Sequence, residues 1–152
     1  MRTKLLIILI VIGFTSCHPL FCTWELGYKQ LTTEPDQTEL IGKYELTNSS
    51  KEFLIERKFN ADEYILTLSK DGQYKFTNGP DLIFNNWGES NQKLIAKKGQ
   101  WFVSCTESYD CLIELEGVCV VPLSQKGGKL AILITVGDGD ECNGILYKKK
   151  KE

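Results

Sequence analysis

The chain turns back on itself through Tyr64-Ile-Leu-Thr-Leu-Ser69, Lys70-Asp71-Gly72 and Gln73-Tyr-Lys-Phe-Thr77, and the length of that turn decides the fold. A two-residue loop at Asp71-Gly72 sets Leu68 opposite Lys75 and Leu66 opposite Thr77. A three-residue loop, with Gly72 left-handed, sets Leu68 opposite Tyr74 and Leu66 opposite Phe76. Directly opposed residues share one face, and a slip of one residue would turn the apolar set to water. The three-residue loop is therefore expected.

The same arithmetic works further along. Trp101, Val103 and Cys105 alternate before residues 106–110, and Cys111, Ile113 and Leu115 alternate after them. Opposing Cys105 with Cys111 sets Val103 against Ile113 and Trp101 against Leu115, with Glu114 and Glu116 pointing the other way. Further strands are expected at residues 40–47, 130–136 (apolar on both faces, hence central) and 144–149. Gly127-Gly128 and Gly137-Asp-Gly-Asp140 supply turns. Ser49 and Glu52 form a capping box ahead of Phe53, Leu54 and Ile55, which predicts a short helix to about Lys58. Alternation at Phe53, Ile55 and Phe59 leaves a strand open there. The expectation is a mainly β domain over residues 39–149. It is an antiparallel meander forming a small barrel or half-barrel, with one short helix after the first strand.

Composition narrows the functions. A chain of 152 residues fits one domain, and 42% hydrophobic residues are too many for a disordered one. With 18 Lys+Arg against 20 Asp+Glu there is no basic stripe for nucleic acid. The single histidine, His18, leaves no Ser–His–Asp or Cys–His arrangement to build. Gly137-Asp-Gly-Asp-Glu141 has the look of a calcium loop but lacks its distal Glu, and reads as an acidic turn. No metal or cofactor is expected, and no catalytic residue. A carboxylate pair brought together only by the fold would leave an envelope hydrolase as the third reading.

The amino terminus reads as an address. Arg2 and Lys4 precede an apolar run of ten residues from Leu5 to Phe14. At ~1.5 Å per residue such a run spans ~15 Å, half of a ~30 Å hydrocarbon core, so it suits a signal segment rather than a spanning helix. The run ends Phe14-Thr15-Ser16-Cys17, which resembles the lipobox of bacterial lipoproteins. That resemblance implies removal of residues 1–16 and acylation of Cys17. Several acyl chains, at ~0.8 kcal/mol per buried CH2, hold a protein permanently where one would not. It also implies an envelope location, in the outer membrane of a diderm, because His18 stands where Asp would retain the protein at the inner membrane. Without residues 1–16 the balance is 16 basic against 20 acidic residues, or −4. Residues 17–38 are expected to form the tether, partly docked through aromatics such as Phe21, Trp24 and Tyr28, and residues 150–152 a basic tail end. Lys148 to Lys151 could meet anionic headgroups or simply be solvated.

Export makes disulfides permissible. Cys105–Cys111 follows from the hairpin register. With Cys17 acylated, Cys22, Cys119 and Cys142 remain, and Cys119–Cys142 is the expected second bond, leaving Cys22 free or intermolecular. Residues 78–90, with Pro80, Asn85, Asn86 and Gly88, suit a long ordered loop packed down by Phe84 and Trp87. Such a loop is either a cap on the barrel end or part of a binding surface. In the second case Asp81, Trp87, Glu89 and Ser90 are the candidate contacts.

The spacing of Asp71-Gly72, Asn78-Gly-Pro-Asp81, Gly88-Glu-Ser90, Gly99-Gln-Trp101 and Gly137-Asp-Gly-Asp140 resembles a family of small β-rich bacterial proteins of unknown function. The likeness runs over residues 40–149, departing at Gly139, where that family usually has Pro, and in the added cysteines. Gly42-Lys-Tyr44 and Gly99-Gln-Trp101 are more distantly similar to the G-x-W start of lipocalin-like barrels. The family resemblance implies a β-rich body and no established activity. With the lipobox-like address and the lack of catalytic motifs, the sequence as a whole reads as a membrane-anchored, non-enzymatic binding protein. A small apolar ligand would need an open interior lined by Tyr64, Leu66, Tyr74 and Trp101. A protein partner, as for an inhibitor or immunity-type lipoprotein, needs only an outer surface, and a filled interior would favour it.

Overall fold

The computed structural model describes Cys22 and residues 26–85, 87–106 and 109–151. The signal segment, Cys17, His18, Phe21 and Trp24 lie outside the described residues. Eight antiparallel strands close into a barrel. They are β2 (Gly42–Leu46), β3 (Ile65–Leu68), β4 (Gln73–Pro80), β5 (Leu94–Thr106), β6 (Tyr109–Leu115), β7 (Cys119–Lys126), β8 (Lys129–Thr135) and β9 (Gly144–Lys149). Each strand pairs with the next, and β9 returns to β2 with Tyr44 opposite Lys149 and Leu46 opposite Tyr147. The short β1 (Lys29–Gln30), the helix α1 (Gln37–Leu40), the helix α2 (Asn48–Glu56) and two 3-10 turns (Asp81–Ile83 and Gly139–Glu141) complete the described elements.

The deciding hairpin has the expected register. Leu66 faces Phe76, Leu68 faces Tyr74, and Gly72 takes φ +75°, which a residue without Cβ adopts freely. The second hairpin sets Trp101 against Leu115 and Val103 against Ile113, with an irregularity just before the turn. Closure is what meandering strands do when both edges are apolar, since it leaves no edge unpaired. An eight-stranded barrel is just wide enough for its own side chains to fill it. Tyr44, Tyr74, Phe76 and Tyr147 are buried almost completely. The Phe76 ring sits 5.7 Å from Tyr74, 5.4 Å from Phe84 and 5.6 Å from Tyr147, each at a steep interplanar angle. Edge-to-face stacks of this kind favour contact between ring edge and ring face.

The helix begins two residues earlier than the capping box implies. Thr47, not Ser49, is the cap, and its hydroxyl accepts the Ser50 N–H. Ser50 turns inward instead, and its hydroxyl accepts the Leu146 N–H of β9, which pins α2 to the barrel.

The tether also differs from its expected extent. Residues 29 and 30 pair with Gln125 and Ser124 of β7, beyond the point where β7 has left β6. Leu31 then bridges both strands, donating its N–H to Leu123 O and accepting the Cys111 N–H. Tyr28 packs on Ala131, Leu133 and Leu146, which form the outer face of β8 and β9. That contact explains why β8 is apolar on both sides. The tyrosine keeps dry a face that would otherwise be water-exposed.

Cysteine pairing follows the expectation once and corrects it once. Cys105–Cys111 is formed. The second bond is Cys22–Cys142, which leaves Cys119 as the free thiol among the described residues. The reason is the direction of the side chains. Cys119 opens β7 and packs against the barrel core, whereas Cys142 sits in the loop before β9, where the amino-terminal segment reaches it. Burial pushes the Cys119 thiol up to about 12 from an ordinary 9.0. The thiolate is the reactive form. In a chain beginning at His18, labelling with a disulfide reagent at about pH 8 should therefore run roughly a thousandfold slower than for an ordinary thiol, until urea unfolds the protein. Fast labelling of the folded chain would contradict this pairing.

Candidate functional site

Strand directions sort the connections into two ends. One end, called here the loop end, holds the β2–β3, β4–β5, β6–β7 and β8–β9 connections. The other, the hairpin end, holds the β3–β4 and β7–β8 turns, the entry to β2 and the exit from β9.

At the loop end the β4–β5 connection folds inward. Pro80 ends β4, and a turn of 3-10 helix over Asp81–Ile83 buries Leu82 and Ile83. Phe84 follows them and stacks on Phe76. Gly79 makes this possible, since a Cβ there would lie 2.7 Å from the Phe84 ring. Asp81, only 9% exposed, accepts the Ser90 hydroxyl at 2.5 Å and the Asn91 N–H at 2.8 Å. Its carboxylate thus closes the loop at its base. Asn85 accepts the N–H groups of Trp87 and Glu89 and donates to the Glu89 carbonyl.

The candidate contacts therefore part company. Asp81 and Ser90 brace the loop, and Glu89 is held through its backbone. Trp87 does not pack the loop down as expected. It is 80% exposed, because Phe84 has taken the inward position and Asn85 fixes the backbone with the indole outside. The loop is a cap, as one of the two readings held, and it presents an aromatic side chain.

The cap rests on the β8–β9 loop. Gly88 has φ +66°, and a Cβ on it would meet Gly137 N at 2.8 Å, so the two backbones are in direct contact. Beyond Gly137, the 3-10 turn Gly139–Glu141 leads to Cys142 and its bond to Cys22. Asn143 accepts from Arg57 at the end of α2 and donates to Glu141. Among the described residues, no three His, Cys, Asp or Glu side chains converge on a metal-sized point. The Gly137–Glu141 stretch is a turn that holds a disulfide.

The hairpin end carries the lysines. One cleft of about 470 Å³ is lined by Glu39, Lys129 and Lys149 to Lys151. A second of about 460 Å³ has Lys43, Lys150 and Lys151 in its wall. Lys149 donates to the Glu39 carbonyl, and Lys150 lies 3.7 Å from Glu45 across exposed surface. A third cleft, of about 620 Å³, is on the outer wall between Tyr28, Phe53, Lys126 and Cys142. Lys126 holds its rim, donating to the Leu26 carbonyl at 3.1 Å and lying 5.3 Å from the centre of the Tyr28 ring.

The interior is packed at the positions that a ligand calyx would need open. Tyr64, Leu66, Tyr74 and Trp101 do point inward, but they are buried against one another and the rings around Phe76. Tyr74 spends its hydroxyl on the Glu116 carbonyl at 2.8 Å, and Trp101 its indole N–H on Ser69 O. Tyr64 and Tyr147 keep buried hydroxyls with no partner among the described residues. Burial raises both phenols above their ordinary titration, Tyr147 the more strongly. The docking of Tyr28 follows the expectation for the tether, whereas the pairing of residues 29 and 30 with β7 and the hold of Lys126 on the Leu26 carbonyl were missed by sequence reasoning. Among the described residues no helix is long and apolar enough to cross a membrane. No family model, no curated protein and no solved structure matches the chain.

Proposed function

We propose that this chain is a lipid-anchored, non-enzymatic binding protein of the bacterial cell envelope, and that what it binds is a protein. The observation that carries the reading is the filled interior. A barrel whose inner rings stack on one another offers a small apolar ligand no volume, so recognition passes to the outer surface. The lipobox-like Phe14-Thr15-Ser16-Cys17 supports the anchor. The described fold begins at Cys22, five residues after Cys17, so an acylated Cys17 would hold the whole barrel close to the bilayer.

Metabolic labelling with an alkynyl palmitate tests the anchor. Label on the wild type that disappears in Cys17→Ser is the expected outcome, and label that survives the substitution overturns it. The chain from His18 onward, used as bait in detergent-solubilised envelope, tests the ligand class. It should retain protein and no stoichiometric lipid. A co-purifying lipid at one per chain would restore the calyx.

A further inference from the structure

Two ends of the barrel compete for the bilayer, and the position of Cys22 decides between them. If Cys17 carries the acyl chains, the anchor is five residues from a cysteine bonded to Cys142. Five residues span at most ~18 Å. Cys142 lies two residues before the start of β9 and Lys150 immediately follows its end. Six residues of strand separate the two ends by about 20 Å. The lysines therefore sit on the far end of the strand from the anchor. The loop end sits beside it.

That end presents the most exposed large apolar side chain among the described residues, Trp87 at 80%, and Ile55 on α2 is 65% exposed. Leaving an indole in water is unfavourable, and nothing inside the loop requires it there. The loop spends the Asn85 amide, the Asp81 carboxylate and the Gly88–Gly137 backbone contact on holding that conformation. A rigid indole costs little entropy on insertion, and Trp prefers the headgroup layer because its ring is apolar and its N–H is wet.

We propose that Trp87 inserts into the headgroup layer of the membrane that holds the anchor, so that the barrel stands on its loop end with Lys43, Lys129 and Lys149 to Lys151 turned toward the aqueous space. The proposal rests on acylation of Cys17. It places the lysine end where a soluble partner with an acidic surface can reach it, and removes Lys148 to Lys151 from contact with their own bilayer.

The test uses the full acylated chain, its amino-terminal mass measured first, in phosphatidylcholine vesicles carrying a nitroxide near the headgroups. Subtracting the emission of Trp87→Phe from that of the wild type isolates Trp87. The expected result is a blue-shifted Trp87 component, quenched by the lipid nitroxide and shielded from aqueous iodide, in zwitterionic vesicles without anionic lipid. A Trp87 component that stays open to iodide while the protein floats with the vesicles overturns the orientation and leaves the anchor standing. Quenching that appears only on adding phosphatidylglycerol, and vanishes with Lys149→Glu and Lys150→Glu, also overturns it in favour of the lysine end. An unacylated mass removes the anchor, and this proposal with it.

Discussion

Replacing Phe76 with alanine is expected to cost about 3–5 kcal/mol of folding stability. That is a large part of the ~5–15 kcal/mol that holds a domain folded. Phe76 is wholly buried at the meeting point of Tyr74, Phe84 and Tyr147, so truncation loses three edge-to-face contacts and leaves a void the rigid wall cannot close. With a urea dependence of ~2 kcal/mol per molar, the unfolding midpoint should fall by about 1.5–2.5 M. Phe102→Ala is the control. It removes the same chemistry from the outer face of β5, where the ring is half in water, and should move stability by no more than ~0.5 kcal/mol. Similar small shifts for the two variants would mean a loosely packed interior, and the case for a protein partner would lose its support.

The sequence shows this centre clearly because its register is local. Leu66, Leu68, Tyr74 and Phe76 lie within eleven residues, and one turn length satisfies them all. The parts hidden from sequence reasoning have physical reasons. Residues 94–99 of β5 do not read as a strand, in part because the slot at Gly99 is filled by another strand's side chain. A Cβ on Gly99 would stand 2.8 Å from the Tyr74 ring, so the position that should show an apolar residue shows none. In β7, Pro122 reads as a breaker. It falls where β7 passes from its last pair with β6, Leu112, to its first with β8, Leu123 opposite Ile132. A missing N–H is tolerated at that changeover.

The site was legible as a loop and not as a surface. Phe84 and Trp87 are both large aromatics three residues apart, and spacing alone cannot say which goes in. Gly79 decides it, by leaving room for Phe84 across a bend that only the folded chain defines. Cysteine pairing has the same character. Cys105 and Cys111 are set opposite each other by a hairpin that sequence reveals. Cys22 meets Cys142 across 120 residues, along a strap whose two-residue pairing with β7 leaves no periodic mark.

That long bond should be the more stabilising of the two. In the chain-entropy account, closing a loop of this size contributes up to ~5 kcal/mol, against ~2 kcal/mol for the six-residue separation of Cys105 and Cys111. Cys22→Ala with Cys142→Ala should therefore lower the urea midpoint by about twice as much as Cys105→Ala with Cys111→Ala. Hydrogen exchange should accelerate at the Leu31 and Cys111 amides, whose bonds hold the strap to β6 and β7. The reverse order of midpoints would show that the strap peels off before the barrel unfolds. With Cys17 acylated as proposed, the consequence reaches the membrane. Without the bond, the first described residue held by the barrel is Leu26, through Lys126, nine residues from Cys17, and the reach of the proposed anchor rises from ~18 Å to ~32 Å. The barrel is then free to tumble. An acylated Cys22→Ala, Cys142→Ala chain should stay bound to vesicles yet lose most of the quenching of Trp87 by headgroup nitroxide. Undiminished quenching would mean that the indole finds the bilayer without the disulfide to aim it.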